Sequence, residues 1–128
     1  MGFDVDAMVR ALRDRLPAGE LEVVNCVEAC RVGRADPAVR ALVSGVRRLH
    51  ARPRLVVKTA TSDMNTLAEV WDVPMATYGP GDSSLDHADH EHIVLSDYLR
   101  GIDVLTVALG ELARLPAGGP AATVRSLR

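Results

Sequence analysis

Apolar residues recur at helical spacing in four stretches of the chain and alternate or run together in three others. Val5, Val9, Leu12 and Leu16 share one stripe, which predicts an amphipathic helix over 4–16. Asp4 is placed to cap it, and Pro17-Ala18-Gly19 to end it. Glu20 to Glu28 alternates like a strand. Asp36 then stands as a helix cap with Pro37 at the first helical position. Val39, Leu42, Val43, Val46 and Leu49 form the expected buried face of that helix, and Pro53 closes the turn after it. Arg54-Leu-Val-Val-Lys58 is short and β-branched, as a strand covered on both faces would be. Thr59 to Asp63 reads as a polar turn into a short helix, Met64–Trp71, capped by Ser62 or Asp63. Val73 to Tyr78 reads as a further strand, and Gly79 to His92 has no periodicity. Ser96 is placed to cap a long helix to about Arg114, with Leu95, Leu99, Ile102, Leu105, Leu109 and Leu112 facing inward.

From residue 36 onward the order is helix, strand, helix, strand, helix. That order predicts an α/β layer with a mostly parallel sheet. Ligands of such sheets bind outside the carboxyl ends of the strands. Two polar loops leave strand carboxyl ends here, Thr59–Asp63 and Gly79–His92, and their convergence is the strongest internal sign of a site.

Composition narrows the partners. Apolar residues make up 48% of the 128 and charged residues 25%, a balance that supports a folded core. The net charge is −2, the pI about 6.0, and the aromatics are only Phe3, Trp71, Tyr78 and Tyr98. A basic surface with an aromatic platform is missing, so no nucleic-acid partner is expected. No stretch approaches the ~18 apolar residues of a membrane span, and the first residues resemble no signal peptide. A cytoplasmic protein is expected. Cys26 and Cys30, four apart on a strand, would lie roughly 13 Å from each other, too far for a disulfide. They read as small buried hydrophobes.

The densest chemistry is Asp82-Ser-Ser-Leu-Asp-His87-Ala-Asp-His90-Glu91-His92. Imidazole and carboxylate together suit zinc, manganese or cobalt. A solvated acidic loop is the competing reading. Ser84, His87 and Asp86 could be drawn as a triad, but there is no Gly-x-Ser-x-Gly elbow. Gly79-Pro80-Gly81 is a tight turn that would let a ligand approach the backbone. Thr61, Ser62, Asp63 and Asn65 offer polar groups at a helix start, where carboxylates bind readily. Arg31 could clamp a carboxylate.

Three stretches carry a resemblance: Lys58-Thr-Ala-Thr-Ser-Asp-Met-Asn65, Tyr78-Gly-Pro-Gly-Asp-Ser-Ser-Leu-Asp-His87, and Glu91. Together they resemble the C-terminal part of the zinc-dependent aminoacylase and carboxypeptidase family, which includes acetylornithine deacetylase and succinyl-diaminopimelate desuccinylase. The nearest branch is that of acetyl-lysine deacetylase, which frees lysine or ornithine from an amino-group carrier protein. The resemblance runs from about residue 3 to residue 113. It implies that His87 is a metal ligand in a site for two zinc (or cobalt) ions, with Glu91 beside it. It implies that Thr61, Ser62, Asp63, Asn65, Gly79, Pro80, Gly81 and Arg31 face the substrate, and it moves His90 and His92 from ligands to neighbours. Residues 1–33 would be part of a lid and dimerisation domain, with the homodimer contact through 4–28. Residues 34–114 would be the C-terminal part of a catalytic domain, and 115–128 a disordered tail.

The family's His-x-Asp motif, bridging aspartate, Glu-Glu pair and further acidic ligand belong to an N-terminal half that this sequence does not contain. The resemblance therefore implies one portion of an amide hydrolase acting on N-acylated lysine or ornithine, inactive alone. Its partners would be the missing half and a small N-acylated amino acid or carrier protein. The alternatives are a non-catalytic remnant that self-associates, or a small metal module built on His87, His90 and His92.

Overall fold

In this computed structural model, residues 4–16 and 18–115 are described, and four α-helices stand in the expected order. They are α1 (Val5–Arg15), α2 (Pro37–Arg48), α3 (Asp63–Val70) and α4 (Leu95–Leu112). A 3₁₀ turn, Ser83–Leu85, lies between the last two. The expected tail falls, beyond Leu115, outside the described residues.

The helix starts follow from local chemistry. Asp4 accepts the Ala7 N–H at 2.8 Å, and Asp36 accepts the Ala38 N–H at 2.8 Å. Each carboxylate satisfies a donor that the first helical turn leaves unpaired. Helix α2 ends in a paired closure. The His50 N–H reaches the Arg47 carbonyl at 3.0 Å and the Ala51 N–H reaches Val46 at 3.1 Å. This is a Schellman ending, and it holds His50 at φ 57, a conformation that favours glycine.

One helix pair makes the core. Helices α2 and α4 pack together, with Ala41, Val104 and Ala108 buried between them. Gly45 and Gly101 are buried as well. Small residues let the backbones approach. A polar clasp closes one edge of the pair: Glu111 accepts from the Ser44 hydroxyl at 2.7 Å and lies 3.2 Å from the Arg48 Nε.

Three expectations are corrected. Helix α4 is capped at Val94 rather than Ser96. Its inward face is Gly101, Val104 and Ala108, while Leu95, Leu99 and Leu109 are 73%, 61% and 62% exposed. Val104 lies over Gly45 and Gly101 against the Pro80 ring, while the leucine stripe points away. Cys26 is exposed and Cys30 half-buried, as among the described residues no strand is paired with their segment; both are free thiols.

Segments 20–28, 54–58 and 74–78, expected as strands, are not helical, and among the described residues no ladder pairs them; Trp71 makes an isolated bridge. Val56 and Val57 are about 70% exposed, at 69% and 71%. A strand is buried on both faces only where it is paired into a sheet that helices cover on both sides. No described helix is long and apolar enough to cross a membrane.

Candidate functional site

Side-chain bonds tie the nominated loops to their surroundings. Asn65, at the third position of α3, turns back so that its Oδ1 accepts the Ser62 N–H at 3.0 Å. This is the reaching-back half of a capping box. The Asn65 amide also donates to the Glu28 carbonyl at 2.9 Å, and Glu69 accepts the Glu28 N–H at 2.8 Å. The end of the first extended segment is thereby held along α3. Asn65 is thus the residue that joins the two segments.

Thr77 donates its hydroxyl to the Met64 sulfur at 3.7 Å, bringing the last extended segment to the same helix. The Gly79–Gly81 turn is set by Pro80. Its ring lies against α4 at Gly101, where an added Cβ would meet the Pro80 Cβ at 3.2 Å. Gly79 and Gly81 face open space.

His87 lies in the loop that follows. Its backbone is left-handed, φ 65, and its N–H donates to Glu91 at 2.9 Å. A non-glycine residue in this region is uncommon and is kept there by its surroundings. The residue before it, Asp86, pairs with Lys58 at 2.7 Å. This ion pair connects the two loops that leave the strand-like segments, across 28 positions of chain. Spacing alone does not announce it. A lone lysine at the end of one segment and a carboxylate in the opposite loop were its only sign.

The rest of the loop is organised by Asp82. Its Oδ1 accepts from the Ser84 N–H at 2.9 Å and from the Ser84 hydroxyl at 2.7 Å. These bonds, the backbone one first, hold the Asp82 carboxyl below the usual carboxylate range. Ser84 therefore serves the turn and not a triad with His87. The His92 Nδ1 contacts the His90 carbonyl at 2.8 Å, within the loop itself.

Thr61, Asp63 and Arg31 are exposed, and Ser62 and Asn65 are half-buried. A cleft of about 610 Å³ runs elsewhere, along α2, lined by Arg34, Arg40, Arg47 and Arg48, and Arg31 is not part of it. Among the described residues no three His, Cys, Asp or Glu side chains come together to hold a metal ion. The residues present thus do not fit a complete two-ion site, nor a module of His87, His90 and His92.

No family model matches the chain. Individual proteins do. A LysW-lysine/LysW-ornithine hydrolase of Thermococcus kodakarensis is 52% identical over 91 residues, 71% of this chain and 26% of that protein. One of Pyrococcus furiosus is 41% identical over 98 residues, 77% of this chain and 30% of that protein. A LysW-lysine hydrolase of Deinococcus radiodurans is 46% identical over 84 residues, 66% and 23% of the two chains. The chain spans about a quarter of the length of these curated relatives.

Proposed function

We propose that this chain, a relative of the LysW-lysine/LysW-ornithine hydrolases, supplies the substrate-facing turns and one imidazole to a hydrolase of that kind. The reaction is hydrolysis of the amide that joins lysine or ornithine to its amino-group carrier protein, a step of amino-acid biosynthesis in the cytoplasm. Water adds to the amide carbon, the C–N bond breaks, and the amino acid leaves as the amine. The similarity to these hydrolases carries the reading, and the left-handed presentation of His87 supports it.

In this reading Thr61, Ser62, Asp63, Asn65 and the Gly79–Gly81 backbone orient the substrate, and Arg31 pairs with its carboxylate. The open space at Gly79 and Gly81 suits a close ligand. His87 is the ligand this chain adds to a metal site, with Glu91 fixing its backbone. In the hydrolase that site would hold zinc or cobalt, which activates water and polarises the amide. In this reading the other ligands and the proton acceptor would come from a further segment; among the described residues no three His, Cys, Asp or Glu side chains gather to hold a metal ion.

The same segment would complete the fold. Strands laid beside 54–58 and 74–78 would make the α/β sheet, and helices across its faces would cover Val56 and Val57. Residues 4–28 would form the homodimer contact.

The test is hydrolysis of LysW-linked lysine and of N-acetyl-lysine with added zinc or cobalt. The chain is assayed alone and mixed with the separately expressed remainder of a related hydrolase. Activity in the mixture only, lost with His87→Ala, is the expected result. Equal activity of His87→Ala and the parent in the mixture would remove His87 from the mechanism.

The exposed leucines of α4 favour one second reading, a non-catalytic chain that self-associates. Concentration-dependent oligomers in sedimentation, with no activity in any mixture, would identify it.

A further inference from the structure

We infer that Lys58 and Asp86 are positioning residues for His87. The inference rests on the reading of His87 as a site residue, but its geometry stands apart from the chemistry.

His87 is held in a conformation that its own side chain disfavours, φ 65. Something must fix the backbone on both sides of it. On the following side, the His87 N–H donates to Glu91 at 2.9 Å. On the preceding side, Asp86 is anchored by Lys58 at 2.7 Å. Lys58 is the only lysine of the chain, and it closes the extended segment 54–58. The pair therefore ties the loop bearing His87 to the end of a different segment, across 28 positions. A loop held at one end alone could swing His87 about Glu91. Held at both ends, it has one place to stand.

The pair is half exposed, with Lys58 at 50% and Asp86 at 38%. An ion pair in that setting changes local equilibria by factors of about two to five. That is too little to hold the whole fold, and enough to bias one loop.

The chain is tested as it stands, by the hydrogen-exchange rate of the His87 amide and the His87 Cα and carbonyl chemical shifts. Lys58→Met and Asp86→Asn should each speed exchange at His87 by about two- to five-fold. Each should also move the shifts away from left-handed values. The double variant should be no worse than either single one, and Lys58→Arg should restore the parent behaviour. Unchanged exchange and shifts in Lys58→Met overturn the inference, as do single effects that add in full. A loss that spreads to the Val104 amide, in the α2–α4 core, also overturns it, since the pair would then hold the fold. Failure of the hydrolase reading is separate: His87→Ala would stay active in the mixed assay while these exchange results remained.

Discussion

A Cβ built on Gly45 would sit 2.7 Å from the carbonyl oxygen of Val104 and 3.3 Å from its Cγ1. Helices α2 and α4 approach as closely as they do because position 45 has no side chain. Alanine normally favours a helix over glycine by about 1 kcal/mol. Here the new methyl meets backbone, which cannot rotate away, and overpacking of this kind costs ~1–3 kcal/mol. Gly45→Ala should therefore lower stability by up to about 2 kcal/mol in urea unfolding, the overpacking outweighing the helix gain. Gly110→Ala, on α4 but facing open space, should raise it by up to ~1 kcal/mol. A stabilising Gly45→Ala would contradict the close approach.

The contrast between these glycines marks what spacing can and cannot reveal. The periodicity of α4 displays a leucine stripe, and a leucine stripe reads as a core face. The buried stripe is Gly101, Val104 and Ala108: Val104 lies against Gly45 of α2 and Gly101 against the Pro80 ring, so it is set by how near those backbones can come. Hydrophobicity patterns do not encode that distance. Caps are more legible, because their chemistry is local: Asp4, Asp36 and Ser62 all stand where their residue types suggest. Val94 does not, since the start of α4 is fixed by its carbonyl accepting from Asp97 and Tyr98 at 3.0 Å. At the candidate site the loops were legible and their couplings were not. Lys58–Asp86 and Asn65–Glu28 join residues 28 and 37 positions apart, which only the folded chain brings together.

His50 ends α2 in the left-handed region, φ 57, where a Cβ is unfavourable. Its two closing hydrogen bonds come from backbone groups and survive any substitution that keeps the conformation. His50→Gly should raise stability by ~0.5–1 kcal/mol, read as a higher midpoint in urea with an unchanged slope. His50→Val should lower it, because β-branching is least tolerated there.

The Asp82 carboxyl lies below its ordinary range because Ser84 donates to its charged form twice. A group depressed in the folded state contributes stability above its unfolded pKa. That contribution is lost as the pH falls through the folded value. The Ser83–Leu85 turn should thus hold at neutral pH and loosen on the acid side of the ordinary carboxylate range. The Ser84 amide resonance reports the change. Asp82→Asn should remove that acid step, since its amide keeps an acceptor oxygen with no charge to lose. An acid step of equal size in Asp82→Asn would assign it to another group.

The acceptor and donor ends of Asn65 make bonds that can be removed separately. Its Oδ1 accepts from Ser62 and supports the start of α3, and its Nδ2 donates to the Glu28 carbonyl. Asn65→Ala loses both and should cost ~1–2 kcal/mol, the range of a lost cap with an added broken hydrogen bond. Asn65→Asp keeps the acceptor, and its charge is favourable in the first turn of a helix. It loses the donor and turns a carboxylate toward the Glu28 carbonyl. Amide exchange in α3 should therefore stay slow in Asn65→Asp while the segment around Glu28 exchanges faster. In Asn65→Ala both should speed up. If the Glu28 segment is unmoved by Asn65→Asp, then Glu69, which accepts the Glu28 N–H at 2.8 Å, holds it without help from Asn65.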